Sequence, residues 1–140
     1  MIRAKSSRWL LVVLLGALLA GCATGQPKMS ALDKVQYAWS AAIRWGDFEG
    51  AWNLLDPAYR DAHPLTELDL SRFKQIQVSG YHELGSQILE DRARREIEIG
   101  VINRNTMAER SLRYTEEWRY DPATKNWWVT SGLPDFWAGE

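Results

Sequence analysis

One cysteine, Cys22, occurs among 140 residues. A lone thiol closes no intramolecular disulfide and builds no cysteine cluster for zinc, so packing must hold the fold. Histidine is almost as scarce: His63 and His82 are the only two, and no His-x-x-x-His spacing occurs. The chain has no glycine-rich phosphate loop and no dinucleotide turn, and Ser79, Ser111 and Ser131 lack the context of a nucleophilic serine. These absences leave no metal site, no cofactor and no assignable catalytic set. No apolar run reaches the roughly 18 residues of a membrane-spanning helix. The charge is nearly balanced, 17 basic against 18 acidic side chains. Such a chain lacks the basic excess with which nucleic-acid-binding proteins meet phosphate, so no nucleic-acid partner is expected.

What is present begins with Arg3, Lys5 and Arg8, followed by the apolar run from Trp9 to Leu18 and then Leu19-Ala20-Gly21-Cys22. Basic residues, a short apolar run and small residues at a cut site are the marks of a secretory signal. The order and the sole cysteine resemble a bacterial lipoprotein signal peptide ending in a lipobox. That resemblance implies cleavage between Gly21 and Cys22, and a diacylglycerol on the Cys22 thiol with a further acyl (palmitate-type) chain on the new amino group. More than one chain gives stable anchoring, because each buried methylene contributes about 0.8 kcal/mol. Ala23 stands where an Asp would resemble an inner-membrane retention signal. The expected location is the cell envelope, on the outer membrane facing the periplasm.

Removing residues 1–21 leaves 119 residues and a formal charge of −4, suited to one domain with one core. Residues 22–29 read as a lipidated tether and 30–140 as the domain. Seven of the eight tryptophans fall in the mature part, which makes a compact core affordable in a small domain.

Ser30 predicts the cap of a helix running to about Trp45, with Leu32, Val35, Trp39 and Ala42 or Ile43 on one stripe. Gly46 suits its C-terminus, and Asp47 suits the cap of a second helix, which Asp56-Pro57 stops. Thr66-Glu67-Leu68-Asp69 resembles a capping box for a third helix ending near Phe73. From Gln75 the period becomes two. Ile76, Val78, Gly80, His82 and Leu84 would share one face of a first strand, with bends or bulges allowed at Gly80 and Gly85. Strands around Ile97–Val101, Leu112–Tyr120 and Trp127–Ser131 follow. The expectation is an α+β fold, N-terminal helices packed on a curved antiparallel four-stranded sheet.

The stretch Trp45-Gly46-Asp47-Phe48-Glu49-Gly50-Ala51-Trp52-Asn53-Leu54-Leu55-Asp56-Pro57, with the strand-rich half after it, resembles the nuclear transport factor two-like superfamily, also called the cystatin-like cone. The resemblance implies a cone-like fold with a pocket between helices and sheet. His82, Tyr114, Glu116 and Trp118 are then the candidate pocket residues, with Arg95 and Asn103 nearer the margins. Some members, the ketosteroid-isomerase-like group, use a pocket carboxylate, and Glu116 stands between Tyr114 and Trp118 in that manner. The plainer role for Glu116 is a partner for Arg95 or for a Tyr or Trp hydrogen.

Trp127 and Trp128 are adjacent in a strand and must point to opposite faces, so at least one leaves the helix-facing layer. Trp128, Phe136 and Trp137 are therefore candidate interface residues, with Phe136 and Trp137 alternatively folded back on their own sheet. Three readings follow. The first is a non-enzymatic envelope lipoprotein that binds an envelope protein partner or forms a homodimer. The second is a binder of a small apolar ligand, and the third an isomerase- or dehydratase-like enzyme using Glu116.

Overall fold

The computed structural model describes residues 26–139. The expected signal peptide, the expected cleavage site at Gly21 and the expected lipidation of Cys22 fall outside the described residues. The chain runs α1 (Gln26–Trp45), α2 (Phe48–Trp52), α3 (Pro57–Ala62), α4 (Glu67–Phe73), then β1 (Ile76–Leu89), β2 (Arg92–Asn103), β3 (Glu109–Asp121) and β4 (Asn126–Val129). The strands form one antiparallel sheet in the order β1-β2-β3-β4. The expected α+β class and strand order are therefore observed.

Helix α1 buries the stripe predicted for it: Leu32, Val35, Trp39 and Ile43 are all in the core. Its start differs from the expectation. The helix begins at Gln26, so Ser30 lies inside it and residues 26–29 form its first turn rather than part of a tether. Pro27 is tolerated there because first-turn amides have no intrahelical acceptor. Distant contacts hold this turn: the Trp127 indole donates to the Lys28 carbonyl (3.0 Å), and Lys28 Nζ lies 4.4 Å from the Tyr120 ring centroid.

At the other end of α1, Gly46 takes φ +74°. Its amide donates to Ile43 O and that of Asp47 to Ala42 O. This is a Schellman stop, which needs a left-handed residue. Asp47 then caps α2 by accepting from the Gly50 amide at 2.9 Å. Asp56-Pro57, expected only to stop a helix, also starts one: Asp56 accepts from Ala58 N (2.9 Å) and Pro57 opens α3. Among the described residues, four helices thus precede the sheet where three were expected. The Thr66/Asp69 capping box on α4 is present in both directions.

Register sets what the sheet presents to the helices. Directly opposed residues share a face, and two bulges shift β1, one between Val78 and Gly80 and one between Glu83 and Gly85. The inner face is therefore Ile76, Val78, Tyr81 and Glu83 on β1, Arg95, Ile97, Ile99 and Val101 on β2, Leu112, Tyr114, Glu116 and Trp118 on β3, and Trp127 and Val129 on β4. Most of these are buried against α1, α2 and Phe136. An isolated parallel bridge between Leu55 and Val129 ties the helical half to the edge strand β4.

Candidate functional site

Arg95 and Glu116 face each other across β2 and β3, under the middle of α1. Arg95 Nε and Nη2 both donate to Glu116 Oε2, at 2.8 and 2.7 Å. The Trp118 indole donates to the same oxygen at 3.1 Å. Arg95 also reaches Ser40 Oγ (3.2 Å), the Tyr81 hydroxyl (3.4 Å) and Glu83 Oε2 (3.3 Å). The Arg95 side chain is 9% exposed and that of Glu116 is 0%. Glu116 Oε1 and Trp39 Nε1 are buried without a hydrogen bond of normal geometry.

Burial pushes the Glu116 carboxyl up to about 8, opposed by the Trp118 indole N–H and then by Trp39. The guanidinium at 2.7 Å opposes that push more strongly than either indole, since a permanent cation at contact distance favours the ionised carboxyl. Burial also lowers the Arg95 pKa, and Glu83 pulls it back up. The pair is an internal salt bridge, the plainer of the two roles expected for Glu116. A carboxylate with no exposed surface, held on one oxygen by three N–H donors, cannot meet a substrate. The enzymatic reading that rested on Glu116 is corrected accordingly.

Other sequence-predicted residues divide. Tyr114, Glu116 and Trp118 share the inner face as expected. His82 does not: the bulge at Ser79 moves it to the outer face opposite Glu98, exposed, while Tyr81 turns inward. Tyr114 donates its hydroxyl to the Gly132 carbonyl (2.5 Å) and lies 2.8 Å from Ser131 Oγ, and burial raises its pKa. Asn103 accepts amides of Asn105 and Thr106 in the β2–β3 turn, away from the pair. Arg95, placed at the margin by the sequence, is central. The space in which a cone pocket was expected is filled by Trp39, Trp118, Trp127, Phe136 and the ion pair. That packing counts against a small apolar ligand inside the domain.

The tail is corrected too. Phe136 is fully buried, packed on Phe48 (5.0 Å between centroids) and Phe73 (6.0 Å), so it belongs to the core and not to an interface. Trp137 stacks on Phe73, with the Arg72 guanidinium 4.1 Å from its ring centroid. Trp127 is buried and Trp128 half-buried on the opposite face beside Arg119, as adjacent strand residues must be.

Two further aromatics, outside the sequence-predicted candidates, are exposed. Tyr37 is 78% and Trp45 83% exposed. With Ala41 they recur every four residues along α1, outside the buried stripe. They border a groove of about 380 Å³ whose walls include Gln36, Ser40 and Arg44 and whose floor is Arg95. The signal was legible as a second apolar stripe, but a helix packed on both faces would show the same pattern.

No family profile matches the sequence, and no curated protein is significantly similar to it. Solved structures are similar in fold. A SEC-C motif containing protein from Rhodopseudomonas palustris aligns with a TM-score of 0.54 at 19% identity, over 66% of this chain and 70% of that one. A second, from Psychrobacter arcticus, gives 0.55 at 11% identity over 71% of this chain, which spans only 58% of that protein. These two likenesses show a shared fold alone. Structural neighbours include NTF2-like proteins: one from Streptomyces avermitilis aligns at 0.41 with 15% identity, over 76% of this chain and 93% of that one.

Proposed function

We propose that the protein is an envelope lipoprotein, held by lipid on Cys22 at the periplasmic face of the outer membrane, whose α+β domain engages a protein partner through the Tyr37–Trp45 face of α1. The anchoring half rests on the order of basic residues, apolar run and Leu19-Ala20-Gly21-Cys22. Among the described residues no helix is long and apolar enough to cross a membrane, so within them the sheet domain offers no helical span of its own.

One observation carries the partner half: Tyr37 and Trp45 are large aromatics left in water at 78% and 83% exposure on the rim of one groove. Aromatics of this kind, clustered beside a concavity, are the usual anchors of protein interfaces. A homodimer through the same face is the alternative occupant.

A photo-crosslinking amino acid at position 37 or 45 of the lipidated protein, in its own envelope, tests this. A discrete adduct is expected from both positions. Tyr37→Ala/Trp45→Ala should abolish co-purification of that partner and leave the melting temperature within a few degrees, because exposed side chains contribute little to stability. Adduct mass equal to a second copy would assign the face to a homodimer. Co-purification unchanged in the double variant would sink the reading. Intact mass of the mature chain, lacking residues 1–21 and carrying acyl chains, tests the anchor separately.

A further inference from the structure

The start of α1 and the tip of the β1–β2 hairpin occupy the same end of the domain. Strands β1 and β3 end there, at Leu89 and Asp121, and β2 and β4 begin there, at Arg92 and Asn126. Lys28 joins the helix to that end through the Trp127 indole and the Tyr120 ring. Tyr120 in turn donates its amide to the Asp91 carbonyl in the hairpin turn (2.8 Å). Four residue steps separate Cys22 from Gln26, a reach of about 14 Å when fully extended. The hairpin tip exposes two aliphatic side chains, Ile88 at 44% and Leu89 at 61%. Beside them a groove of about 300 Å³ is lined by Leu89, Ala93 and Trp118 and bordered by Arg92 and Arg94.

Resting on the lipid-anchor reading, we infer that the β1–β2 hairpin tip, Ile88 and Leu89 with Arg92 beside them, is a bilayer contact that settles into the headgroup layer next to the acylated N-terminus. The chemistry suits a lipid surface. Aliphatic side chains gain by leaving water, and Arg92 carries an apolar stem with a cationic head that stays at phosphate level. Glu90 and Asp91 in the same turn offset the cations, so apolar burial drives the contact rather than net charge. The short tether supplies the rest by holding the tip at high local concentration against the surface. The contact would orient the domain, with the Trp45 end of α1 pointing away.

The test uses the full chain, processed and acylated in cells, in vesicles of phosphatidylethanolamine and phosphatidylglycerol. Acylation occupies Cys22, so Leu89→Cys and Met107→Cys each give one thiol for an environment-sensitive fluorophore. Both positions are exposed, and Met107 lies in the β2–β3 turn at the opposite end of the sheet. At position 89 the label should shift to the blue and be quenched several-fold more by nitroxide lipids than at 107. Protein that floats with the vesicles while both labels report water overturns the inference and leaves the anchor standing. Protein that carries no acyl mass and does not float removes the anchor reading, and this inference with it.

Discussion

Arg95→Met should destabilise the domain by about 3–5 kcal/mol, the typical cost of stranding one partner of a buried pair. The stability of a domain this size is on the order of 5–15 kcal/mol, so the loss is a large share. Its pH dependence is the sharper signature. Without the guanidinium, burial acts on the Glu116 carboxyl unopposed by a cation and holds its pKa well above the ordinary 4.5 of the unfolded chain. A folded pKa above the unfolded one favours the protonated folded state. The variant therefore keeps most of its stability below about pH 4.5 and loses it progressively as pH rises from there toward its raised folded pKa. Urea denaturation at several pH values reads this directly. Arg95→Met/Glu116→Gln should recover much of the loss and flatten the pH slope, since Gln still accepts from the Trp118 indole without a charge to bury. Arg95→Met within 1 kcal/mol of wild type at pH 8 would contradict the ion-pair assignment.

Phe136→Ala is expected to cost about 3–5 kcal/mol, the range for emptying a buried aromatic site. Its ring is wholly enclosed between Phe48, Phe73 and Trp137, so it joins α2 and α4 to the end of the chain. The consequence should appear in the denaturation midpoint and in faster amide exchange across α4. Native mass spectrometry should show the same oligomeric state as wild type. The opposite pattern, with stability kept and association weakened, would return Phe136 to the surface role that its place near the chain end suggested.

Those two residues show what the sequence could and could not carry. Local signals were readable because they depend on neighbours a few residues away: Asp47 and Thr66 cap the helices they were expected to cap, and the stripe from Leu32 to Ile43 faces the core. β3 was read on the correct face because it runs without a bulge from Glu109 to Arg119. β1 was not. An alternating pattern carries a face only while the count stays in step, and the extra residues Ser79 and Leu84 each reverse it. Hence His82 was placed inside and Tyr81 overlooked, and with Tyr81 the polar cage around Arg95. The first turn of α1 was missed for another reason: a weak local start is rescued by the Trp127 indole, 99 residues away.

Helix α1 also fixes how the domain would bear load. Its 20 residues span about 30 Å, with the first turn pinned to β3 and β4 and Trp45 at the far end. Tension between an anchored Cys22 and a partner gripping Trp45 would pass along that single rod, parallel to its own hydrogen bonds. The sheet would stand outside the line of pull, and the buried stripe would have to slide as a whole before the helix could be drawn off it. Hydrogen bonds aligned with the pull would give way one after another, so the packed stripe from Leu32 to Ile43, and not the helix's own ladder, would set the resistance.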